Sequence, residues 1–236
     1  MTSTSPISSN STLASRLGVV RETIAEECSR LRRSPNEVTL IAVTKFQPAS
    51  VVRELAALGI RDVAESRHQE AEQKSVELRD CPISWHFVGQ LQTKKARRVR
   101  AYSTTIHSVD RAALVDALAW GMDDDNQRLT DVFLQVNLSH DPGRGGVAES
   151  QLEPLVEHVL GAPGLRLRGV MAVAPLGEDP DRVFARLREA SDRVQRCDSS
   201  AQAMSAGMSG DYRQALAWGA THLRIGSAIT GKMPPG

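Results

Sequence analysis

The 236-residue chain has only three cysteines, Cys28, Cys81 and Cys197, odd in number, widely spaced and in no C-x-x-C pair. That excludes a disulfide framework, offers no structural zinc pattern, and makes a reducing cytoplasm the expected home. Neither sign of charge is in excess: the formal net charge is +1, so no global field points to nucleic acid, an anionic membrane or an acidic substrate. No window approaches the apolar length that a bilayer-spanning helix needs. The opening "MTSTSPISSNST" has no apolar core after a basic start, so residues 1–12 read as a disordered tail and not as a secretory signal. The six histidines include no closely spaced pair, which leaves no metal site to predict. No G-x-G-x-x-G occurs, so a dinucleotide fold lacks its fingerprint.

What is present is alternation. Leu13, Leu17, Val20, Ile24 and Leu31 recur at mostly helical spacing, which predicts one long amphipathic helix from Leu13 to Arg33. Strand-like runs follow at 39–45, 61–65, 84–89, 104–109, 131–138, 166–174, 202–207 and 222–227. Amphipathic stretches separate them, near 48–58, 67–78, 93–101, 111–121, 149–161, 180–196 and 211–219. Strict β/α alternation means parallel strands joined by right-handed crossovers and covered by helices. Eight such units in about 250 residues are what a (β/α)8 barrel requires, whereas an open doubly wound sheet usually has fewer strands. The expected fold is α/β: a single (β/α)8 TIM barrel over residues 13–236, with an extra N-terminal helix and no second β-domain. Gly59 in "ALGI" and Gly219 in "AWGA" stand where a helix stops and the next strand begins. "GMDDDNQ" at 121–127 reads as a charged solvent loop, and "DPGRGG" at 141–146 as a flexible rim loop, with anion contact by Arg144 the lesser reading.

In such barrels the chemistry sits at the C-terminal ends of the strands. The first strand, "TLIAVTKF", runs into Lys45, which taken alone is an ordinary strand-end lysine. Strands seven and eight end in "SAGMSGD" and "RIGSAITG", placing Gly207 and Ser209, then Gly226 and Ser227, ahead of a helix or final turn. Each pair alone is a simple turn. Two such pairs on adjacent strands, at the place where these barrels often hold phosphate, predict a cradle of close backbone, N–H groups and hydroxyls. A lysine desolvated at the rim has a lowered pKa and forms a Schiff base with an aldehyde whose phosphate the cradle holds. Pyridoxal 5'-phosphate is the ligand with both groups. His86, beside Trp85 on the third strand, has two equal readings: a pocket wall, or a packed and hydrogen-bonded histidine. "GSAITGKM" at 226–233 nearly spells a nucleotide P-loop, but Met233 replaces the Ser or Thr that would hold magnesium. "KKARRVR" at 94–100 spreads its charges around a solvated helix without interleaved aromatics, and nucleic-acid binding is the lesser reading.

The stretches "AVTKFQP" (42–48), "WHFVGQLQTKKA" (85–96), "HSVDR" (107–111), "QVNLSHD" (135–141), "MSAGMSGD" (204–211) and "RIGSAITG" (224–231) together resemble the pyridoxal phosphate homeostasis proteins, the YggS/PROSC group. That group shares the barrel of alanine racemase. The resemblance implies that Lys45 carries the cofactor as a Schiff base, that Ser209, Gly226 and Ser227 hold its phosphate, and that Arg224 faces the pyridine nitrogen. Ser66, His86 and Met171 complete the expected cofactor-binding set. A guanidinium can only donate, so the ring nitrogen it faces stays an unprotonated acceptor and the ring a poor electron sink. The family usually reads F-G-E-N-x-x-Q-E on the second strand, whereas this chain has "VAESRHQE" at 63–70. Ala64 stands in place of Gly and Ser66 in place of the Asn beside the cofactor. Ser keeps a donor with a shorter reach, which predicts weaker cofactor affinity. Ser227 stands where the family often has Thr, and keeps the hydroxyl.

The function these features imply is pyridoxal phosphate binding for intracellular cofactor homeostasis, with little or no turnover and hence no enzyme. The alternative is an amino-acid racemase using the same Schiff base. The chain ends within ten residues of strand eight, leaving no room for the β-domain that completes two-domain alanine racemases. An open, wet cofactor face also loses the low-dielectric environment that α-proton chemistry needs. Expected partners are small molecules, pyridoxal phosphate first and amino acids second, with apo forms of cofactor-dependent enzymes as candidate recipients. Neither nucleic acid nor a membrane is expected, and the chain is read as a cytoplasmic monomer or weak dimer.

Overall fold

The structure is a computed structural model and describes residues 12–120, 129–139, 141, 143–175 and 177–231. Most of the expected N-terminal tail, the loop at 121–127, and Lys232 and Met233 lie outside the described residues. Helix α1 (Leu13–Arg30) precedes β1 (Thr39–Val43), α2 (Ala49–Ala57), β2 (Asp62–Glu65), α3 (His68–Glu77), β3 (Ser84–Phe87), α4 (Ala96–Tyr102) and β4 (Thr105–Val109). There follow α5 (Ala112–Ala119), β5 (Thr130–Gln135), α6 (Leu152–Leu160), β6 (Leu165–Met171), α7 (Pro180–Cys197), β7 (Ala203–Ser205), α8 (Tyr212–Ala217), β8 (His222–Ile225) and α9 (Ser227–Thr230). The eight strands pair in chain order, all parallel, and β8 returns to β1 to close the barrel. Among the described residues no helix is long and apolar enough to cross a membrane.

Apolar spacing explains the helices. On α1 the buried Leu13, Leu17, Val20, Ile24 and Cys28 recur every three or four residues, the stripe a surface helix turns inward. The Thr12 hydroxyl oxygen accepts from the Ser15 N–H at 3.2 Å, which caps the first turn. The helix stops three residues sooner than its pattern suggests, because Arg32 takes a positive φ of 55°. A short 3-10 turn, Pro35–Glu37, follows on a Ser34–Glu37 capping box that the residue pattern also contains. Gly59 and Gly219, with φ of 83° and 93°, end their helices as expected. The stretches 93–101 and 149–161 each open with a 3-10 turn, at Thr93–Lys95 and Glu149–Gln151, before the α-helix begins.

The principal core lies between sheet and helices, where Val63, Trp85, Ile106, Val132 and Leu134 meet Val52, Leu55, Leu114, Phe184 and Leu187. The barrel interior is different. Branched apolar side chains usually fill such an interior, yet here His86, His107, Ser205 and Arg224 are buried together, with Phe133 stacked on His107 at 4.5 Å between centroids.

Several strands leave the ladder earlier than their apolar runs suggest. β1, β3 and β7 end at Val43, Phe87 and Ser205, two residues short of 45, 89 and 207. One more backbone bond follows β1 and β3, from Thr44 N–H to Ala64 O and Val88 N–H to Glu65 O, and two follow β7, from Ala206 N–H to His222 O and Arg224 N–H to Gly207 O. The next residues then turn away at the C-terminal mouth. β8 ends at Ile225, and Ser227 is the first residue of α9 and not the last of a strand.

Candidate cofactor-binding site

The end of β1 is anchored from below. Thr44 is buried, and its hydroxyl donates to Glu65 Oε1 at 2.7 Å. Lys74, from α3, donates to the same carboxylate oxygen at 2.6 Å and to the Thr44 carbonyl at 2.9 Å. A turn follows, closed by the Gln47 N–H on the Thr44 carbonyl at 3.0 Å. Its third residue, Phe46, has a φ of 64°, a conformation usually left to glycine. The Phe46 N–H donates to Glu70 Oε2 at 3.2 Å, and the Arg67 guanidinium lies 4.3 Å from its ring centre. Lys45 occupies the second position of this turn and points into a cavity of about 660 Å³.

The opposite wall comes from β7 and β8. Gly207 has a φ of 90°, and a Cβ there would lie 2.8 Å from the Ala215 side chain, so only glycine lets α8 pack this closely. The Met208 N–H donates to Asp211 Oδ1 at 2.6 Å. Ser209 Oγ accepts from the Ala228 N–H at 3.1 Å, tying the β7 loop to α9 and leaving its own proton to donate. Arg224 is 4% exposed and donates to Ser205 Oγ at 2.6 Å and to the Ala172 carbonyl at 2.8 Å. Burial lowers its pKa to about 10, opposed by the Asp211 charge, so it stays a cation at neutral pH.

Six of the residues predicted from sequence line this one cavity: Lys45, Ser66, Ser209, Arg224, Gly226 and Ser227. Two do not. His86 is buried, with Nδ1 2.9 Å from His107 Nε2 and Nε2 2.9 Å from Asp62 Oδ1, so the packed, hydrogen-bonded alternative describes it. Met171 ends β6 and is 1% exposed, without reaching the cavity wall. Lys45 also departs from expectation: it is exposed and not desolvated by the protein, so water exclusion there depends on what fills the cavity. Arg144 is not among the lining residues, and its loop is held by the Asn137 side-chain amide, which donates to the Asp141 and Arg144 carbonyls. The basic run at 94–100 lies on a solvated face as expected: Lys94, Arg97 and Arg98 are exposed, with Arg98 paired to Glu72 and Arg97 over the exposed Trp120.

Sequence reading missed Val88, Val173 and Met208, which supply apolar wall, and the Glu65–Lys74 pair beneath Lys45. The signal for that pair was a charged residue closing an apolar strand with an opposite charge on the next helix. Among the described residues the cavity wall holds two cations, Lys45 and Arg224, and no carboxylate. Such a wall suits an anionic ligand that carries hydrogen-bond acceptors. No group of three His, Cys, Asp or Glu side chains among the described residues could hold a metal.

The alanine racemase N-terminal domain family matches residues 19–234. The chain is 39% identical over 229 residues to the pyridoxal phosphate homeostasis protein of Pseudomonas aeruginosa, covering 94% of this chain and 96% of that one. PipY of Synechococcus elongatus, solved with PLP bound, is 35% identical with a TM-score of 0.77, over 88% of this chain and 100% of its own. Alanine racemase from Corynebacterium glutamicum, at 16% identity and a TM-score of 0.71, shares the fold and is matched along 62% of its length. With this barrel, this cavity and these relatives, the chain belongs to the family of pyridoxal phosphate homeostasis proteins.

Proposed function

We propose that the chain binds pyridoxal 5'-phosphate at the C-terminal mouth of its barrel and serves cofactor homeostasis as a carrier and not as a catalyst. The donor set fits that ligand. Lys45 would take the aldehyde, Ser209, Gly226 and Ser227 would hold the phosphate, and Arg224 would donate to the ring nitrogen. When bound, the cofactor supplies an electrophilic aldehyde and a ring able to accept electron density. Arg224, pinned by Ser205 and the Ala172 carbonyl, offers that ring donors only.

One observation carries the carrier reading. Among the described lining residues, Lys45 and Arg224 are the only titratable side chains, so no second acid or base faces Lys45 across the cavity. Racemisation needs a proton removed from one side of a carbon and returned on the other, and a group must stand on each side. Apo-enzymes that need the cofactor are the recipients this reading implies.

The test is the visible spectrum of protein mixed with pyridoxal phosphate, before and after borohydride, followed by peptide mass mapping. A yellow protein with the reduced pyridoxyl group on Lys45 is expected, and a colourless, unmodified protein would overturn the reading. Incubation of the loaded protein with single L-amino acids in deuterated buffer tests the absence of catalysis. Stoichiometric exchange or none is expected at the α-position, and rapid turnover would make the protein an enzyme.

A further inference from the structure

An unbroken chain of side-chain hydrogen bonds crosses the barrel from the cavity toward its opposite end. Arg224 Nη1 lies 2.6 Å from Ser205 Oγ, and Ser205 Oγ lies 2.8 Å from His107 Nδ1. His107 Nε2 then lies 2.9 Å from His86 Nδ1, and His86 Nε2 lies 2.9 Å from Asp62 Oδ1. The members come from β8, β7, β4, β3 and β2. Arg224, Ser205, His107 and His86 are all buried. Asp62 is the first residue of β2, its side chain is 30% exposed, and it borders a groove of about 580 Å³ together with Arg21 and Arg61.

One direction along the chain gives every member both its donor and its acceptor. A carboxylate accepts, so His86 donates from Nε2, and in that tautomer it accepts at Nδ1. His107 must therefore donate from Nε2. Burial first, and then the neighbouring His86 and Arg224, hold His107 well below the usual imidazole range, so it is neutral and accepts at Nδ1. Ser205 then donates its hydroxyl proton to His107 and accepts from Arg224. A guanidinium can only donate, so Ser205 Oγ accepts from Arg224 and keeps its own proton for His107. Each acceptor in such a chain is strengthened by the donation it makes onward.

We propose that Asp62, His86, His107 and Ser205 are positioning residues for Arg224, a one-way hydrogen-bonded relay by which a carboxylate at the N-terminal end of the barrel sets the donor geometry at the ligand end. Interior polar groups cost desolvation unless each is satisfied, and this chain satisfies them by orienting one guanidinium. Two of its N–H groups are held, by Ser205 and Ala172, while the side chain lines the cavity. What Arg224 donates to rests on the cofactor reading above; the relay itself does not.

The first measurement is 15N NMR of the imidazoles in cofactor-free protein. Both His86 and His107 are expected to carry their proton on Nε2, and protonation on Nδ1 in the wild type would overturn the relay. In Asp62→Asn the amide can donate as well as accept, so either direction becomes possible and signals from Nδ1-protonated rings are expected to appear. Pyridoxal phosphate titration of that variant is expected to show affinity lower by about fivefold, the worth of one hydrogen bond, with a displaced absorption maximum. Ser205→Ala cuts the chain at its last link: both tautomers should persist while affinity and absorption maximum change as in Asp62→Asn. A merely structural role would shift the unfolding midpoint and leave tautomer and spectrum unmoved, and that result overturns the proposal. If the wild type binds no pyridoxal phosphate, the cofactor reading fails while the tautomers still decide the relay.

Discussion

The ammonium group of Lys74 donates to the Thr44 carbonyl at 2.9 Å, so a buried lysine holds the backbone that presents the exposed Lys45. The same ammonium meets Glu65 at 2.6 Å, and the Thr44 hydroxyl closes the triangle. Burial pushes the Glu65 carboxyl up, opposed by its bonds from Lys74 and Thr44. A pair of this kind adds little over an apolar replacement, but removing one half strands the other charge in the interior.

Lys74→Met is therefore expected to lower unfolding stability by about 3–5 kcal/mol, read from urea denaturation. The double variant Lys74→Met, Glu65→Leu should recover most of the loss. A single variant with an unchanged midpoint would show that Glu65 does not depend on its partner.

Gly89 follows β3 and faces the loop that carries Ser66. A Cβ at this position would lie 2.0 Å from the Ser66 carbonyl oxygen, a backbone atom that can yield only if its loop moves. Gly89→Ala should destabilise by about 1–3 kcal/mol, as overpacked sites do, and should also weaken cofactor binding because Ser66 lines the cavity. Thermal unfolding and a fluorescence titration of the same sample check both. An alanine variant equal to wild type in each would mean that this contact is not close in solution.

A buried histidine, His107, and a half-buried one, His222, make stability depend on pH. Burial, with His86 and Arg168 adding to it, lowers His222 from 6.5 to about 4, and burial, with His86 and Arg224, holds His107 well below 6.5. Below pH 6.5 the unfolded chain thus binds more protons than the folded one. The stability they contribute is complete above that value and lost as pH falls, toward about 4 for His222 and further for His107. Each contributes a slope of up to about 1.4 kcal/mol per pH unit. Glu65, whose pKa burial raises, opposes them, gaining stability as it is protonated. Urea midpoints taken near neutrality and about two pH units lower should show the loss, and His107→Gln should flatten it. An equal pH dependence in His107→Gln would remove this histidine from the account.

Ser66 reaches the cavity with a shorter side chain than the asparagine its relatives are expected to place there. Ser66→Asn should add a hydrogen bond to the ligand, worth about 1 kcal/mol or roughly fivefold in affinity. Comparing both proteins by pyridoxal phosphate titration decides it. Weaker binding by the asparagine variant would show that this loop, with Ala64 before it, is already matched to serine.

Much of the architecture is local and therefore legible. Buried parallel strands read as apolar runs, helices as 3.6-residue periodicity, and their alternation leaves few topologies. Lys45 and the Gly-Ser pairs at Ser209, Gly226 and Ser227 could be picked out because each stands immediately after a strand. The ends of those strands were harder. Thr44, Val88 and Ala206 are residue types that strands use, so the stretches 44–45, 88–89 and 206–207 look like strand until their backbone partners are known.

The sequence by itself determined the barrel, its order of elements and the side chains at its mouth, because propensity and spacing act over a few residues. Tertiary structure alone decided His86, which alternation sets opposite Trp85 without saying which face is inside; closure of β8 onto β1 turns it inward to His107 and Asp62. It also decided the partners of Lys74 and Ser205. Ser205 meets His107 from 98 residues away, and a hydrogen bond across such a separation leaves no periodic trace in the chain. It exists because closing the barrel brings both side chains into one interior too dry to leave either unpaired.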